Sequence, residues 1–490
     1  MSSADSHGIV VTESPTQMPQ SAAATNGVPV IFGTAPVNMA ANPANSLNNP
    51  ILCTSYEECV EAFGYSDDFL SYTLCASIYA HFVKEAVGPV VFVNVLDPGT
   101  HTKVLAGADY TVKARQAKVE VEGVLAKGLV VKDGETTLTA GTDYTVSFNT
   151  SGYLVVTLIA GTAHASAATL NISGKQLDPS LVDEDTVIGG YDTQTKKRTG
   201  LEVLSDVYPK TGQVPGRILA PYWSKKKNVA KMIQLKAEGI NDSFRATAVI
   251  DLDTTTCKDF ESVKDAKDTM GVNDSDAIAC WPMVVSKGHP GVIPYSAVFE
   301  ASMQATDINH DSVPSKSPSN VPVTYVSGTV LEDGTTVEMD RAEANVVENA
   351  GVVTIYRWNG YYRTWGNYTA AYPEEKDAKD YWINVRRMFS WQSNNFVLLY
   401  FDDIDENISY RLIQSILDSE NQRLSAYVPT HLAAARIEFR ATDNPDADIV
   451  AGRIQFKQYL SPYVPAKIIA NDLEYDVNAM IASLFGEEAA

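Results

Sequence analysis

The run Asp402-Asp403-Ile404-Asp405-Glu406-Asn407 carries enough oxygen ligands to suggest a hard divalent cation. Counted as a calcium loop from Asp403, it puts Ile408 where glycine must turn the chain and Gln414 where a bidentate glutamate must close the shell. The run therefore reads as the lead-in to a helix, its acids near the positive N-terminal end. His289, alone in Lys287-Gly288-His289-Pro290-Gly291, reads as a surface turn residue rather than a general base. Trp358, Tyr361, Tyr362 and Trp365 could stack on sugars, but their strand-turn-strand spacing points to core and interface packing. Cys53, Cys59, Cys75, Cys257 and Cys280 form no CxxC pair, so they read as reduced, buried thiols of a protein made in the cytoplasm. HExxH, GxSxG, GxxxxGK[ST] and GxGxxG are all missing. Paired carboxylates leave no sequence signature, so an enzyme or receptor-binding protein stays open as a second reading.

Any such groups must be held by elements the composition can support. A chain of 490 residues is long enough for about three domains. Its 45% apolar and 20% charged residues are those of an ordinary globular protein. The net charge of −22 argues against nucleic acid and anionic membranes as partners and favours solubility at high subunit concentration. The longest apolar stretch, 89–96, is a strand's length against the roughly 18 residues a membrane helix needs. Residues 1–20 lack the basic and apolar regions of a secretory signal.

Segment 28–34 (VPVIFGT) reads as a buried strand, 56–63 as a helix opened by Ser55, 69–83 as helically spaced, and 89–96 (PVVFVNVL) as a second buried strand. Asp97-Pro98 and Asp178-Pro179 then bracket a Thr/Val/Ala/Gly-rich segment with period-two alternation. Within it, 106–112 (AGADYTV) recurs as 140–146 (AGTDYTV), which predicts one turn-to-strand step used twice. The expectation is a small all-β domain over 99–179, inserted in an α/β host at 21–98 and 180–306. In the host, helices at 201–206 and 228–237 alternate with strands at 217–221 and 246–252, which predicts a partly parallel sheet covered by helices. The Ser/Pro/Asn/Asp-rich stretch 307–322 reads as a surface loop within a connector at 307–345. Residues 346–468 read as a separate α+β unit, with apolar runs at 352–358 and 395–401, a helix at 408–424, and strands at 436–440 and 453–459.

In that helix Ile408, Leu412, Ile413, Ile416 and Leu417 share one stripe and should be core. Arg411, Gln414, Asp418, Asn421 and Gln422 share the other. Both tails of the chain are strand-like. One contains Ile9, Val10 and Val11; the other, 472–477, puts Leu473, Tyr475 and Val477 on one face and three carboxylates on the other. A lone strand cannot satisfy its own backbone, so each needs a sheet edge. Periodicity leaves open whether that edge is its own or a neighbour's.

Taken in order, the chain resembles the contractile tail sheath protein family of myophages and phage-tail-like bacteriocins. Segment 7–14 (HGIVVTES) is similar to that family's N-terminal arm, and 49–52 (NPIL) through Phe63-Gly64 to its opening unit. Segments 187–192 (VIGGYD), 199–204 (TGLEVL) and 215–223 (PGRILAPYW) follow in the expected places. The most specific matches are 366–373 (GNYTAAYP), 385–388 (VRRM), 418–421 (DSEN), 436–440 (RIEFR) and Asp443-Asn444-Pro445. Ala433-Ala434-Ala435 departs from the family, which is glycine-rich there.

The resemblance implies a multidomain α/β and α+β tail-sheath fold with arms at 1–20 and 469–490. It further implies a structural subunit, without cofactor, that stacks as hexameric rings around a tail tube and contracts to drive the tube through the target envelope. The partners would be further copies, the tube, and the baseplate and tail terminator proteins. The place would be a virion tail or tail-like particle assembled in the bacterial cytoplasm. The C-terminal unit would face the tube, with Arg411, Gln414, Asp418 and Gln422 lining the bore, and the insert would lie outside.

Overall fold

The computed structural model describes residues 25–149, 151–289 and 291–485. Ile9, Val10 and Val11 lie outside them. The body is a nine-stranded sheet in the order Pro322–Val323, Tyr361–Trp365, Val352–Trp358, Ala277–Cys280, Thr247–Asp251, Pro215–Leu219, Val28–Gly33, Val90–Asn94, Ile51–Cys53. Strands from Val352–Trp358 to Val90–Asn94 run parallel, and antiparallel strands close the two sides. Central strands such as VVFVN and TAVID are buried at every residue, as parallel strands covered on both faces must be.

The covering helices start where local chemistry says they should. Tyr56–Phe63 opens on Ser55, whose hydroxyl accepts from the Glu58 amide. Lys227–Glu238 covers the segment read as helical from its spacing. Thr73–Ile78 runs on into a π-helical stretch, Tyr79–Glu85, so only part of 69–83 is α-helical. Tyr295–Ile308 is buried along nearly all its length. It carries Glu300, which accepts from Arg217 Nε at 2.8 Å with both side chains buried. Burial pushes the Glu300 carboxyl up, against the pull of Arg217.

The insert is a second sheet of seven strands between Thr102 and Leu177, with its own core of Val119, Val131, Leu154, Val156, Leu170 and Ile172. Its first and last strands, Thr102–Lys113 and Thr169–Leu177, pair antiparallel with Thr102 facing Leu177. Two glycines let it sit close against the body. A Cβ at Gly123 would stand 3.2 Å from Tyr72 Oη, and one at Gly152 would stand 3.2 Å from Met39 Sδ. The internal repeat adopts two conformations. Its second copy turns at Gly141 (φ +81°) into the strand Tyr144–Phe148, as expected. The first lies inside a strand, where Ala106 and Gly107 bulge opposite Ser173.

The last third departs most from the sequence reading. Val352–Trp358 and Tyr361–Trp365, expected within a separate unit from 346 onward, extend the body's sheet. The apolar run 395–401 falls mostly in the 18-residue helix Ile383–Tyr400. That helix buries Arg387, Gln392, Asn394 and Asn395 together with Ile383, Val385, Met388 and Trp391, so polar and apolar side chains share its covered faces. The stretch 307–322 is not simply surface: Asp307 lies in the helix Tyr295–Ile308, and both it and Val313 are buried. The helix Tyr410–Ser425 and the antiparallel pair Leu432–Phe439 and Phe456–Pro462 complete the C-terminal unit.

Candidate assembly surfaces

The two-stranded sheet of the C-terminal unit is held by a buried polar node. Glu420, fully buried on the helix Tyr410–Ser425, accepts from Arg423 Nε at 2.9 Å and from Gln392 Nε2 at 2.6 Å. It also accepts from Gln458 Nε2 at 3.2 Å and Tyr400 Oη at 3.1 Å. One carboxylate thereby joins two helices and a strand. Arg423 lies over the Trp391 ring at 5.4 Å.

The edges of this sheet are unequal. Ile437 donates its amide to Asn421 Oδ1 at 3.1 Å, and its carbonyl accepts from Asn421 Nδ2 at 3.3 Å. The neighbouring helix thus caps the outer edge of Leu432–Phe439, a known way to blunt an edge strand. Among the described residues, no strand pairs with the outer edge of Phe456–Pro462.

Both tails leave from firmly held roots on one helix. The Thr25 amide donates to Asn395 Oδ1 at 2.8 Å, and Asn395 Nδ2 donates to the Thr25 carbonyl at 3.0 Å. Asn26 Nδ2 donates to Asp307 at 2.6 Å, and Asp307 is ion-paired with buried Arg387. At the other tail, Asn384 Nδ2 donates to the carbonyl of Tyr463 at 2.9 Å. Lys467 then reaches Tyr368 Oη at 2.9 Å and Glu348 at 3.5 Å. Burial raises the Glu348 carboxyl, and Lys467 opposes that.

Beyond this root the chain makes no strand until the helix Val477–Phe485. Leu473 and Tyr475 are 86% and 72% exposed. Val477, expected in the strand, opens the helix instead, because Asp476 accepts from the Ala479 amide at 2.9 Å in the manner of an N-cap.

Of the residues assigned to the bore, Arg411, Asp418 and Gln422 are exposed and Gln414 is half-buried. The apolar stripe of that helix is narrower than expected. Ile416 is buried; Leu412, Ile413 and Leu417 are half-covered; Ile408 lies before the helix and is exposed. Buried Glu420 and Leu424 complete the packed face, a carboxylate standing where a hydrophobe would be read.

The other chemistry candidates disperse. The acids at 402–407 do not cap the helix, since Ser409 does, accepting from the Leu412 amide at 3.1 Å. No group of His, Cys, Asp and Glu suited to a metal occurs among the described residues. His289 is buried rather than on the surface, its ring stacked on Phe69 at 4.1 Å. Trp358 and Tyr361 project from a hairpin tip, about half exposed, whereas Trp365 is held by Asn345 at 2.9 Å. All five cysteines are buried and free, and no helix among the described residues is long and apolar enough to cross a membrane.

No family model matches the chain. It is 25% identical over 471 residues to the tail sheath protein of Burkholderia phage BcepMu, covering 93% of this chain and 94% of that one. It is also 25% identical over 254 residues to a putative prophage major tail sheath protein of Pseudomonas aeruginosa strain UCBPP-PA14, covering 51% and 61%. Among solved structures, it overlays the sheath complex of the extracellular contractile injection system PVC in the contracted state. The TM-score is 0.56 at 13% identity, with 98% and 100% covered. The contracted helical sheath of the anti-feeding prophage gives 0.55 at 13% identity, with 97% and 100% covered. The fold is that of the contractile sheaths, a mixed α/β multidomain architecture. The resemblance to sheath proteins holds along nearly the whole chain, whose relatives are structural proteins rather than enzymes.

Proposed function

We propose that this chain, a relative of contractile tail sheath proteins almost from end to end, is the structural subunit of such a sheath. The observation that carries this is the collinear match to a tail sheath protein over 93% of the chain. Copies stack as six-membered rings around a tail tube, and contraction of the stack drives the tube through the target envelope. Residues 1–20 and 469–490 are the arms that add strands to neighbouring copies, with Ile9, Val10, Val11, Leu473 and Tyr475 as buried contacts. The outer edge of Phe456–Pro462 is the natural acceptor for such a strand.

Each added backbone hydrogen bond contributes only about 0.5–1.5 kcal/mol net. Full burial of Leu473 or Tyr475 adds roughly 1.5–3 kcal/mol each. Repeated on every subunit, these links act together. Arg411, Gln414, Asp418 and Gln422 face the tube, 99–179 forms an outer domain, and baseplate and terminator proteins cover the two ends. Assembly takes place in the bacterial cytoplasm, and the product is a virion tail or a tail-like particle. Negative-stain microscopy of the purified protein tests the reading. Long tubes or rods are expected, and discrete particles at all concentrations would overturn it.

A further inference from the structure

We propose that the helix Ile383–Tyr400 is the bar to which both arms are fixed, with Asn384 and Asn395 as the positioning residues that set where each arm leaves the subunit. This rests on reading the two tails as arms that join neighbouring copies. Asn384 and Asn395 stand eleven residues apart on this helix. At 100° per residue they return to within about 20° of the same face, separated by roughly 16 Å along the axis.

Each gives its side-chain amide to main chain at an arm root. Asn395 both accepts from and donates to Thr25, so it imitates one rung of a strand ladder just before the strand Val28–Gly33. Asn384 donates to the Tyr463 carbonyl just after the strand Phe456–Pro462 ends, and to the Ser315 carbonyl beside it. Between them Arg387 pairs with Asp307, which also holds Asn26. Asparagine is a poor residue for a helix interior, where Asn395 stands, and a buried amide such as that of Asn384 in the first turn must find partners. Two such residues, both buried and both turned to distant backbone, are explained by what they hold. A pull on either arm therefore reaches one helix through Asn395 or Asn384, beside the links made by Asn26, Arg217 and Lys467.

The molecule contains its own control. Asn394 makes the same two-bond clamp, donating to and accepting from Arg245 at 2.8 Å each, on a segment of the body that is no arm root. The test compares Asn395→Ala, Asn384→Ala, Asn394→Ala and a chain lacking residues 1–13, each as full protein assembled into sheaths. Thermal midpoints of the point variants should fall together. Hydrogen exchange at Thr25 should quicken at least tenfold in Asn395→Ala alone, and Asn395→Asp, which keeps the acceptor, should restore part of the protection.

Sheaths of Asn395→Ala and Asn384→Ala should be several-fold shorter and of irregular ring spacing, while those of Asn394→Ala match the unaltered protein. Asn395→Ala sheaths no different from Asn394→Ala sheaths, alongside defective assembly by the truncated chain, would overturn this proposal alone. Normal sheaths from the truncated chain would overturn the arm reading and this proposal with it.

Discussion

The body stacks Val30, Ile31 and Phe32 against Val90, Val91 and Phe92, every one of them fully buried. In the two-stranded sheet of the C-terminal unit only Leu432 and Ile437 are buried to a similar degree, and its tightest cluster is the Glu420 node. Apolar packing tolerates many arrangements of similar volume, whereas a buried carboxylate with four donors accepts very few. The body is thus ordered mainly by filling space, with the buried Arg217–Glu300 pair as an exception. The C-terminal unit is ordered by matching donors to acceptors, which fixes its strands while leaving one edge without a partner strand among the described residues.

The largest effect that would sharpen this contrast is on assembly. Glu474 makes no contact that a proline would break, so Glu474→Pro should leave the thermal midpoint of the monomer unchanged. The same change removes a ladder donor and fixes φ, so tube formation by light scattering or microscopy should fall to nothing. Sheaths of normal length from this variant would place the links between subunits elsewhere.

Next in size is Glu420→Ala, which leaves the largely covered Arg423 without its carboxylate and should cost about 3–5 kcal/mol. The loss should be confined to the C-terminal unit. Trp391 fluorescence should therefore report an early denaturant transition that far-ultraviolet dichroism of the whole chain shows only in part. A single coincident transition would mean that body and unit unfold as one.

A smaller effect belongs to the body. Burial lowers the His81 imidazole to about 4, although its contact with the Ser77 carbonyl works the other way. The unfolded chain takes up this proton near pH 6.5 and the folded chain only near 4. Stability is therefore lost as pH falls through that window, by roughly 3 kcal/mol in all. The stability difference between the unaltered protein and His81→Gln should shrink accordingly between pH 7 and 4. A constant difference would show that His81 does not titrate in this way.

Smallest is the effect of reversing both charges at Arg411 and Asp418. These exposed residues should change stability by no more than about 0.5 kcal/mol. Co-sedimentation with the tail tube should nevertheless weaken. Unaltered co-sedimentation would return this stripe to the role of a solvated face.

Elements whose causes are local were legible in the sequence. Ser55 opens Tyr56–Phe63, and the run around Val90–Asn94, apolar but for Asn94, reads as a covered strand. The run 395–401 showed only that it is apolar, because its residues end a helix whose earlier turns bury amides. The membership of Val352–Trp358 in the body's sheet depends on pairing with Ala277–Cys280, seventy residues away, which no local pattern records. At the candidate surfaces, the polar stripe on Tyr410–Ser425 was legible, but Asn421 within it caps Ile437 instead of meeting solvent. Asn384 and Asn395 carried no signal at all, since an amide's importance here lies in which distant carbonyl or amide it meets.

Thr102 and Leu177 face each other as the first and last strand residues of the insert. Facing residues of an antiparallel pair lie about 5 Å apart, so the host presents a pair of closely spaced chain ends. Any folded module whose own ends meet at that spacing could be spliced there, bounded below only by the tight seats at Gly123 and Gly152. A polymer of such subunits would then carry its cargo at lattice spacing, a molecular printing plate whose type can be reset without touching the press.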